Sequence, residues 1–215
     1  MVCGIDEAGR GPLAGPVCAA AVVLPENFPA DLLNDSKQLR PQQREDARCI
    51  IVDRAIAWGV GWATHVEIDE INILRASLLA MRRAFDVISN FISQTFTQEW
   101  PHRLETEAPF GRPFHGPGLP AGLTAVVDGL YTPELPIPRA ALVKADASVH
   151  EVMAASILAK TARDQLMVFY GRLYPEYGYE RHKGYPTKEH RSLILKYGPS
   201  PIQRRSFRVE KQSTD

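Results

Sequence analysis

The chain has 215 residues, of which 45% are hydrophobic and 23% charged, and its formal net charge is zero. This composition is that of a globular protein with one sizeable core, and no run reaches the ~20 apolar residues that a membrane span requires. Three widely separated cysteines without a CxxC pair argue against a disulfide framework or a cysteine zinc site. We find no signal-peptide pattern and expect a cytoplasmic protein.

Apolar runs and helical periodicity in the first half of the chain predict three strands and two helices. The predicted strands are Val2–Asp6, Pro16–Leu24 and Trp58–Glu67. The predicted helices are Arg44–Ile56, with Pro41 suited to a first helical turn, and Ile71–Ile92. The second strand is apolar throughout, which is typical of a strand buried on both faces.

The second half of the chain begins with a stretch of different composition. Residues 93–122 hold five prolines and four glycines with little periodicity, so we interpret them as a surface insertion. Two further short strands are predicted, at Leu123–Gly129 and Arg139–Ala147. Ser148 and Glu151 fit a capping box that opens a helix running to about Leu173. Strands that alternate with helices indicate an α/β fold.

The C-terminal quarter carries much of the basic charge. Between Lys160 and Arg208, eleven lysines and arginines stand against four acidic residues, so this segment has a net charge of +7 and the remainder −7. Its loop "YGYERHKGYPTKEHR", residues 177–191, is basic and aromatic and leads into another predicted helix. A basic segment can hold a polyanion while an acidic remainder holds metal ions, although such charge runs are often only solvated surface.

Four acidic residues close short apolar runs: Asp6, Glu7, Asp128 and Asp146. Carboxylates at strand ends project beyond the sheet edge, where sites in α/β proteins are commonly found. Converging carboxylates repel one another, and Mg²⁺ or Mn²⁺ would relieve that repulsion because these ions prefer oxygen ligands. Two such ions can stabilise the attacking and leaving oxygens of a phosphodiester. Taken singly, Asp6, Asp128 and Asp146 could each be a turn or cap residue instead.

The first acidic pair poses a geometric problem. Asp6 and Glu7 are adjacent, and neighbouring side chains of a strand point to opposite faces. They lie in the stretch "GIDEAGRGPLAGP", residues 4–16, which has four glycines and two prolines and therefore the composition of a loop. We predict that the backbone leaves regular strand geometry at or just after Asp6, so that both carboxylates reach one target.

Eight ordered blocks of the sequence resemble bacterial ribonuclease HII over nearly the whole chain, apart from roughly residues 93–122. The blocks are "GIDEAGRGPLAGPV", "NDSKQL", "EIDEINIL", "VVDG", "VKADA", "AASILAKTARD", "HKGYPT" and "RRSF". The resemblance implies a ribonuclease H-like fold, in which a five-stranded mixed sheet is flanked by helices and followed by a helical C-terminal extension. We accordingly divide the chain into a catalytic domain at residues 1–170 and a substrate-binding extension at residues 171–215 packed on it.

The same resemblance implies an activity. Members of the family are metal-dependent endonucleases that hydrolyse the RNA strand of RNA–DNA hybrids. They also incise duplex DNA on the 5′ side of single embedded ribonucleotides and leave 3′-hydroxyl and 5′-phosphate ends. The family's catalytic and metal-binding carboxylates fall on Asp6, Glu7, Asp128 and Asp146, with Mg²⁺ or Mn²⁺ in a two-metal mechanism. A monomer acting on nucleic acid, without a membrane, is expected.

Substrate-binding residues follow from the resemblance in the same way. The glycine-arginine-glycine loop that senses the ribose 2′-hydroxyl falls on Gly9, Arg10 and Gly11, and the tyrosine that packs on the neighbouring sugar falls on Tyr185. The 2′-hydroxyl is the one group that marks a ribonucleotide within DNA, and glycine lets the backbone approach it closely.

Other residues in the matching blocks carry weaker assignments. Phosphate contacts or site support are assigned to Lys37, Asn72 and Lys144. Lys160 is either such a contact or an ordinary solvated helix position. Leu130 stands where the family usually has asparagine, which puts a supporting hydrogen bond in question. His150 is interpreted as a helix surface residue, with a proton shuttle as the alternative.

Two other functions are open at this point. A related nuclease that needs several consecutive ribonucleotides would share the four acids. Its type HIII relatives carry an additional N-terminal domain, which we do not expect here because the catalytic block starts at residue 4. A non-catalytic hybrid-binding module is the second alternative, but it would gain little from carboxylates that face phosphate.

Overall fold

The computed structural model describes residues 1–33, 40–89, 111–114 and 118–209. Within these ranges six strands form one mixed sheet, and five helices are present. The strands are β1 (Val2–Ala8), β2 (Val17–Val23), β3 (Ala57–Ala63), β4 (Gly111–Arg112), β5 (Thr124–Asp128) and β6 (Arg139–Leu142). The helices are α1 (Pro41–Arg54), α2 (His65–Ile88), α3 (His150–Leu173), α4 (Tyr179–His182) and α5 (Lys188–Tyr197).

The strand order determines which residues meet at the sheet edge. The order is β4-β3-β2-β1-β5-β6, with antiparallel pairing from β4 to β1 and parallel pairing from β1 to β6. Ile5 of β1 lies opposite Val127 of β5. Because these strands are adjacent and parallel, their next residues, Asp6 and Asp128, lie at the same edge of the sheet.

The predicted α/β fold with a mixed sheet is confirmed, but the prediction of five strands is wrong. The additional strand is β4, a pair of residues within the stretch interpreted as an insertion. It pairs with β3, and the Arg112 side chain donates hydrogen bonds to the carbonyl oxygens of Asp53 and Ala55. Two residues cannot show a hydrophobic period, so the sequence pattern gave no signal for this strand.

β2 is buried along its whole length and separates two apolar layers. Its residues alternate between the layers, as a strand requires. The odd-numbered residues from Val17 to Val23 pack in a core with α2. The even-numbered residues from Cys18 to Val22 pack in a second core with α1 and α3. The prediction that this strand is buried on both faces is therefore confirmed.

α2 begins at His65, six residues before the predicted start. The Thr64 side chain accepts from the Glu67 N–H at 3.1 Å, and the Glu67 carboxylate accepts from the Thr64 N–H at 2.8 Å. This capping box ends the preceding strand at Ala63, so the prediction that β3 continues to Glu67 is wrong. The apolar period alone located the helix but not its first two turns.

α3 also begins at a different residue from the predicted one. Its N-cap is Val149, which makes no side-chain cap, and the helix starts at His150. The Ser148 N–H instead donates to the Ala145 carbonyl oxygen at 3.0 Å, within a 3₁₀ turn at Ala145–Ala147. The predicted capping box at Ser148 is therefore wrong, because the preceding turn uses this residue.

The C-terminal segment packs against the loop at residues 9–16, which we call the glycine loop. The Leu13 N–H donates to the Gly184 carbonyl at 2.8 Å, and the Gly15 N–H donates to the Ile202 carbonyl at 2.9 Å. α3 runs through residue 170 without a break, and the division into residues 1–170 and 171–215 stays a prediction. None of the described helices is both long and apolar enough to cross a membrane.

Candidate active site

Three carboxylates meet at the edge of the sheet. They belong to Asp6 in β1, Asp128 at the end of β5 and Asp146 in the 3₁₀ turn before α3. One oxygen from each lies within 4.8 Å of the other two, and Asp6 and Asp146 are buried. The structure thus brings together three of the four acids that the sequence singled out.

Asp146 reaches this group by a route that the sequence did not show. β6 ends at Leu142, so the prediction that a buried strand runs up to Asp146 is wrong. Lys144 then adopts a left-handed conformation with φ of 60°, and the 3₁₀ turn follows. The Ala145 N–H donates to the Asp128 Oδ1 at 2.8 Å, so one member of the group anchors the turn that carries another.

Burial and mutual repulsion set the electrostatics of Asp6. Burial raises the pKa of Asp6 well above its usual value, and the charges of Glu7 and Asp128 raise it further, against a hydrogen bond from Ser156. The Glu7 N–H also donates to the Asp6 Oδ1 at 2.7 Å. Close carboxylate oxygens, two of them from buried residues, fit a hard divalent cation such as Mg²⁺ or Mn²⁺, which would compensate the repulsion.

Glu7 lies outside this group of three. β1 remains paired with β2 through Ala8, which lies opposite Cys18, so the prediction that the backbone leaves strand geometry near Asp6 is wrong. Strand alternation starts the Glu7 side chain from the face of β1 on which Cys3 and Ile5 pack, although its charge still acts on Asp6 and Asp128. Its Oε1 accepts from Arg10 at 3.3 Å, and its Oε2 is buried without a hydrogen-bond partner among the described residues. Burial raises the pKa of Glu7, and Arg10 opposes this effect.

The glycine loop follows β1 directly. Its first two glycines differ in whether the surrounding structure leaves room for a side chain. Gly9 has φ of 98°, and a Cβ atom there would lie 2.0 Å from the Arg163 Nε, so the fold requires glycine. A Cβ atom on Gly11 would have Tyr185 Cε1, at 3.9 Å, as its nearest described neighbour. The fold therefore does not explain why residue 11 is glycine.

Tyr185 and Arg10 are exposed next to this open position. Tyr185 is 38% exposed, and its backbone is held by hydrogen bonds with His182 and His190. The Lys160 Nζ lies 5.5 Å from the ring centroid, although it also pairs with Asp164 at 2.7 Å. The structure thus places the predicted sugar-binding tyrosine beside the predicted 2′-hydroxyl loop.

The sequence also assigned phosphate contacts or site support to Asn72, Lys144 and Lys37. Asn72 has φ of 68° inside α2, and its Oδ1 accepts from the N–H groups of Leu74 and Arg75, so it caps the second part of that helix. Lys144 is exposed just before the turn that carries Asp146. Lys37 lies outside the described residues. Leu130, two residues beyond Asp128, is 73% exposed.

His150 lies away from the carboxylates. It is exposed at the first turn of α3 and lines a cavity of about 460 Å³ with Met1 and Val2, at the opposite end of β1 from Asp6. This position favours a helix surface residue over a proton shuttle.

Two residues next to the site were missed by sequence reasoning. Arg163 of α3 and Arg204 of the C-terminal segment have no solvent exposure, and both donate hydrogen bonds to carbonyl oxygens of the glycine loop. Their only signal was their place in the blocks "AASILAKTARD" and "RRSF". A charged residue is ordinarily expected at the surface, so their burial was not predicted.

Comparisons with known proteins place the chain among sequences of one family. The sequence model of a family described as Ribonuclease HII matches residues 3–92 and 131–210. The interval between the two matches contains Asp128, so the place of this residue in the site rests on the geometry. Two curated relatives named Ribonuclease HII are similar along nearly their full lengths. That of Treponema denticola is 49% identical, with 98% of this chain and 99% of the relative covered. That of Dechloromonas aromatica is 44% identical, with coverages of 96% and 90%.

A solved structure is similar as well. The crystal structure of ribonuclease H2 from Pyrococcus horikoshii superposes with a TM-score of 0.67 at 26% sequence identity. The match covers 97% of this chain and 94% of the other. The mixed sheet with its flanking helices is therefore shared with an enzyme of that name.

Proposed function

Since the chain belongs to the ribonuclease HII family of type 2 ribonuclease H endonucleases, we propose that its metal-dependent action on RNA–DNA hybrids extends to single ribonucleotides embedded in duplex DNA. Incision would occur on the 5′ side of the ribonucleotide and leave 3′-hydroxyl and 5′-phosphate ends. The observation that carries this proposal is a group of three close carboxylates followed along the chain by an exposed glycine, Gly11, whose open side the fold does not fill.

Asp6, Asp128 and Asp146 are the residues proposed to hold Mg²⁺ or Mn²⁺. Bound there, such ions would activate water and stabilise the charge on the attacking and leaving oxygens of the phosphodiester. The protein orients the ligand oxygens through the Glu7 N–H on Asp6 and the Ala145 N–H on Asp128. Glu7 stays a predicted fourth ligand, supported by its buried Oε2 that accepts no hydrogen bond from the described residues.

Recognition of the ribonucleotide is assigned to the glycine loop and Tyr185. Without a side chain at Gly11, main-chain groups of the loop can approach a ribose 2′-hydroxyl at hydrogen-bond distance. The exposed Tyr185 ring supplies a flat apolar face for the neighbouring sugar, and the exposed Arg10 supplies a cation for a phosphate. Binding of the duplex would also draw on the basic C-terminal quarter.

Replacing Gly11 by alanine tests this assignment. The added methyl group fits the fold, so we expect a melting temperature close to that of the wild type. It occupies the space that a ribose would use, so kcat/KM on a duplex with one ribonucleotide should fall about tenfold or more, the effect of losing roughly 1.4 kcal/mol of transition-state binding.

The matched control for this variant is a continuous RNA–DNA hybrid cut by the same preparation, on which many alternative sites are available. We expect a smaller loss there. An equal loss of kcat/KM on both substrates would show that Gly11 has no role in recognising the single ribonucleotide.

A further inference from the structure

Arg204 is a buried cation that bonds to main-chain carbonyl groups and belongs to none of the catalytic or substrate residues assigned above. Its guanidinium is fully buried, and the Phe207 ring centroid lies 5.0 Å from its Cζ. It donates four hydrogen bonds into the glycine loop, to the carbonyl oxygens of Gly9 at 2.6 Å, Gly15 at 2.8 Å, Arg10 at 3.0 Å and Pro16 at 3.2 Å. One side chain thereby holds both ends of the loop.

Burying the Arg204 guanidinium costs folding free energy, which indicates that its hydrogen bonds have a function beyond attaching the C-terminal segment. The described residues give Arg204 no ion pair with a carboxylate. Burial and the neighbouring charge of Arg163 lower the pKa of Arg204 to about 9. Burying a charge against neutral carbonyl groups alone is unfavourable, and an apolar residue of similar volume could attach the C-terminal segment at lower cost. The rigid fork of N–H donors on a guanidinium does, however, match a set of four carbonyl oxygens that must keep one arrangement.

The hydrogen bonds of Arg204 determine which main-chain groups of the loop face outward. The carbonyl oxygens of Gly9 and Arg10 are directed to Arg204, which fixes the planes of the two peptide groups that follow them. The N–H groups of those peptides belong to Arg10 and Gly11. Outside helices and strands, the described part of the chain shows no backbone hydrogen bond donated by either of them. These donors are therefore presented beside the open position at Gly11.

We propose that Arg204 is a positioning residue that determines selectivity for a single ribonucleotide, because it fixes the orientation of the peptide groups that approach the ribose. This inference rests on the proposed function of the glycine loop. Arg204 itself touches no reacting atom. Without its four hydrogen bonds, a loop containing three glycines and two prolines between residues 9 and 16 has little to select one conformation.

Arg163 provides a matched comparison within the same protein. It is equally buried, but it donates to the carbonyl oxygens of Ala14, Pro16 and Lys183 and makes no hydrogen bond to those of Gly9 and Arg10. Its Cζ also lies 5.8 Å from the Tyr185 ring centroid, and because both substrates offer Tyr185 a sugar, a loss of that packing would lower kcat/KM on both and leave their ratio. A role limited to stability would be shared by both arginines. A role in orienting the peptides at Arg10 and Gly11 belongs to Arg204 alone.

The test compares Arg204→Lys with Arg163→Lys in the full chain. Lysine keeps the charge but lacks the planar fork, so both variants should melt at a lower temperature than the wild type. For each protein, kcat/KM is measured on a duplex with one ribonucleotide and on a continuous hybrid with Mn²⁺. The ratio of the two values should fall about tenfold in Arg204→Lys and stay within about twofold of wild type in Arg163→Lys.

An unchanged ratio in Arg204→Lys, or an equal fall in both variants, would overturn the inference while the proposed function stands. A wild-type protein that does not cut the single-ribonucleotide duplex would overturn both. If Arg204→Lys does not fold, Phe207→Leu provides the second measurement. It removes the ring packed on the guanidinium, and the ratio should then fall in the same direction by a smaller factor. A wild-type ratio in that variant would equally overturn the inference.

Discussion

Replacing Asp128 by asparagine is expected to reduce cleavage of every substrate by about a thousandfold or more, since metal-ion stabilisation of the transition state contributes several kcal/mol. The fold should survive the change. The Asp128 Oδ1 accepts a hydrogen bond from the Ala145 N–H, and an asparagine Oδ1 can accept the same bond. The turn that carries Asp146 is therefore retained while one negative charge is lost from the group.

The measurement is the rate of cleavage at saturating Mg²⁺ or Mn²⁺, together with a thermal melt. Asp31→Asn is a suitable control, because Asp31 is an exposed acid in a 3₁₀ turn far along the chain from the three carboxylates. The Asp31→Asn protein should cleave at the wild-type rate. Near-normal cleavage by Asp128→Asn would remove Asp128 from the proposed metal site and with it the basis for the mechanism.

Replacing Asp6 by asparagine is expected to abolish cleavage and, at the same time, to raise the melting temperature of the metal-free protein at neutral pH. Burial, with the charges of Glu7 and Asp128, raises the pKa of Asp6 in the fold. The unfolded chain releases this proton near pH ~4, whereas the folded chain holds it to a higher pH. The contribution of Asp6 to stability is thus lost as the pH rises from ~4 toward neutrality, and a neutral asparagine avoids that loss.

A bound cation should reverse this effect in the wild type. At a Mn²⁺ concentration of about 100 times Kd, binding adds about 2.7 kcal/mol of stability, or roughly 5–10 °C for a chain of this size. Asp6→Asn should show little of that gain, and melts in EDTA and in Mn²⁺ measure both effects. A metal-free Asp6→Asn protein that melts below the wild type, or one that gains as much from Mn²⁺, would show that the carboxylates are not a strained cation site.

Sequence reasoning located the site well where strand geometry determines it. Asp6 and Asp128 close apolar runs, and two parallel neighbouring strands bring such residues together at one edge. The same reasoning was wrong where tertiary contacts override local preference. The glycines after Glu7 permitted a departure from the strand, but pairing with β2 holds the chain in the strand as far as Ala8. Glu7 consequently starts from the other face of β1 and lies outside the group of three.

Other features had no local signal at all. The position of Asp146 depends on the left-handed backbone conformation of Lys144. A lysine side chain gives no indication of that conformation in the sequence. Asn72 was assigned a phosphate contact or site support because of its block, which stays a prediction, and the sequence did not show that it caps a helix from a left-handed position. The burial of Arg204 arises from carbonyl groups nearly two hundred residues away in the chain, a relation that no sequence window contains.

These differences change the interpretation of the stretch that follows β1. Asp6 joins the carboxylate group, whereas Glu7 pairs with Arg10 and stays a predicted fourth ligand. The glycines also divide by role. Gly9 is required by the packing of Arg163, and Gly11 is the position that the fold leaves open for a ligand.

The central claim is that three carboxylates and the adjacent glycine loop together cut DNA at a single ribonucleotide. Its most direct test is the mapping of products from a DNA duplex that contains one ribonucleotide, incubated with the wild-type protein in Mg²⁺, in Mn²⁺ and in EDTA. We expect one incision on the 5′ side of the ribonucleotide, with a 3′-hydroxyl that a polymerase extends, and no product in EDTA. An intact duplex in both metals, or equal cutting of an all-DNA duplex, would contradict the account.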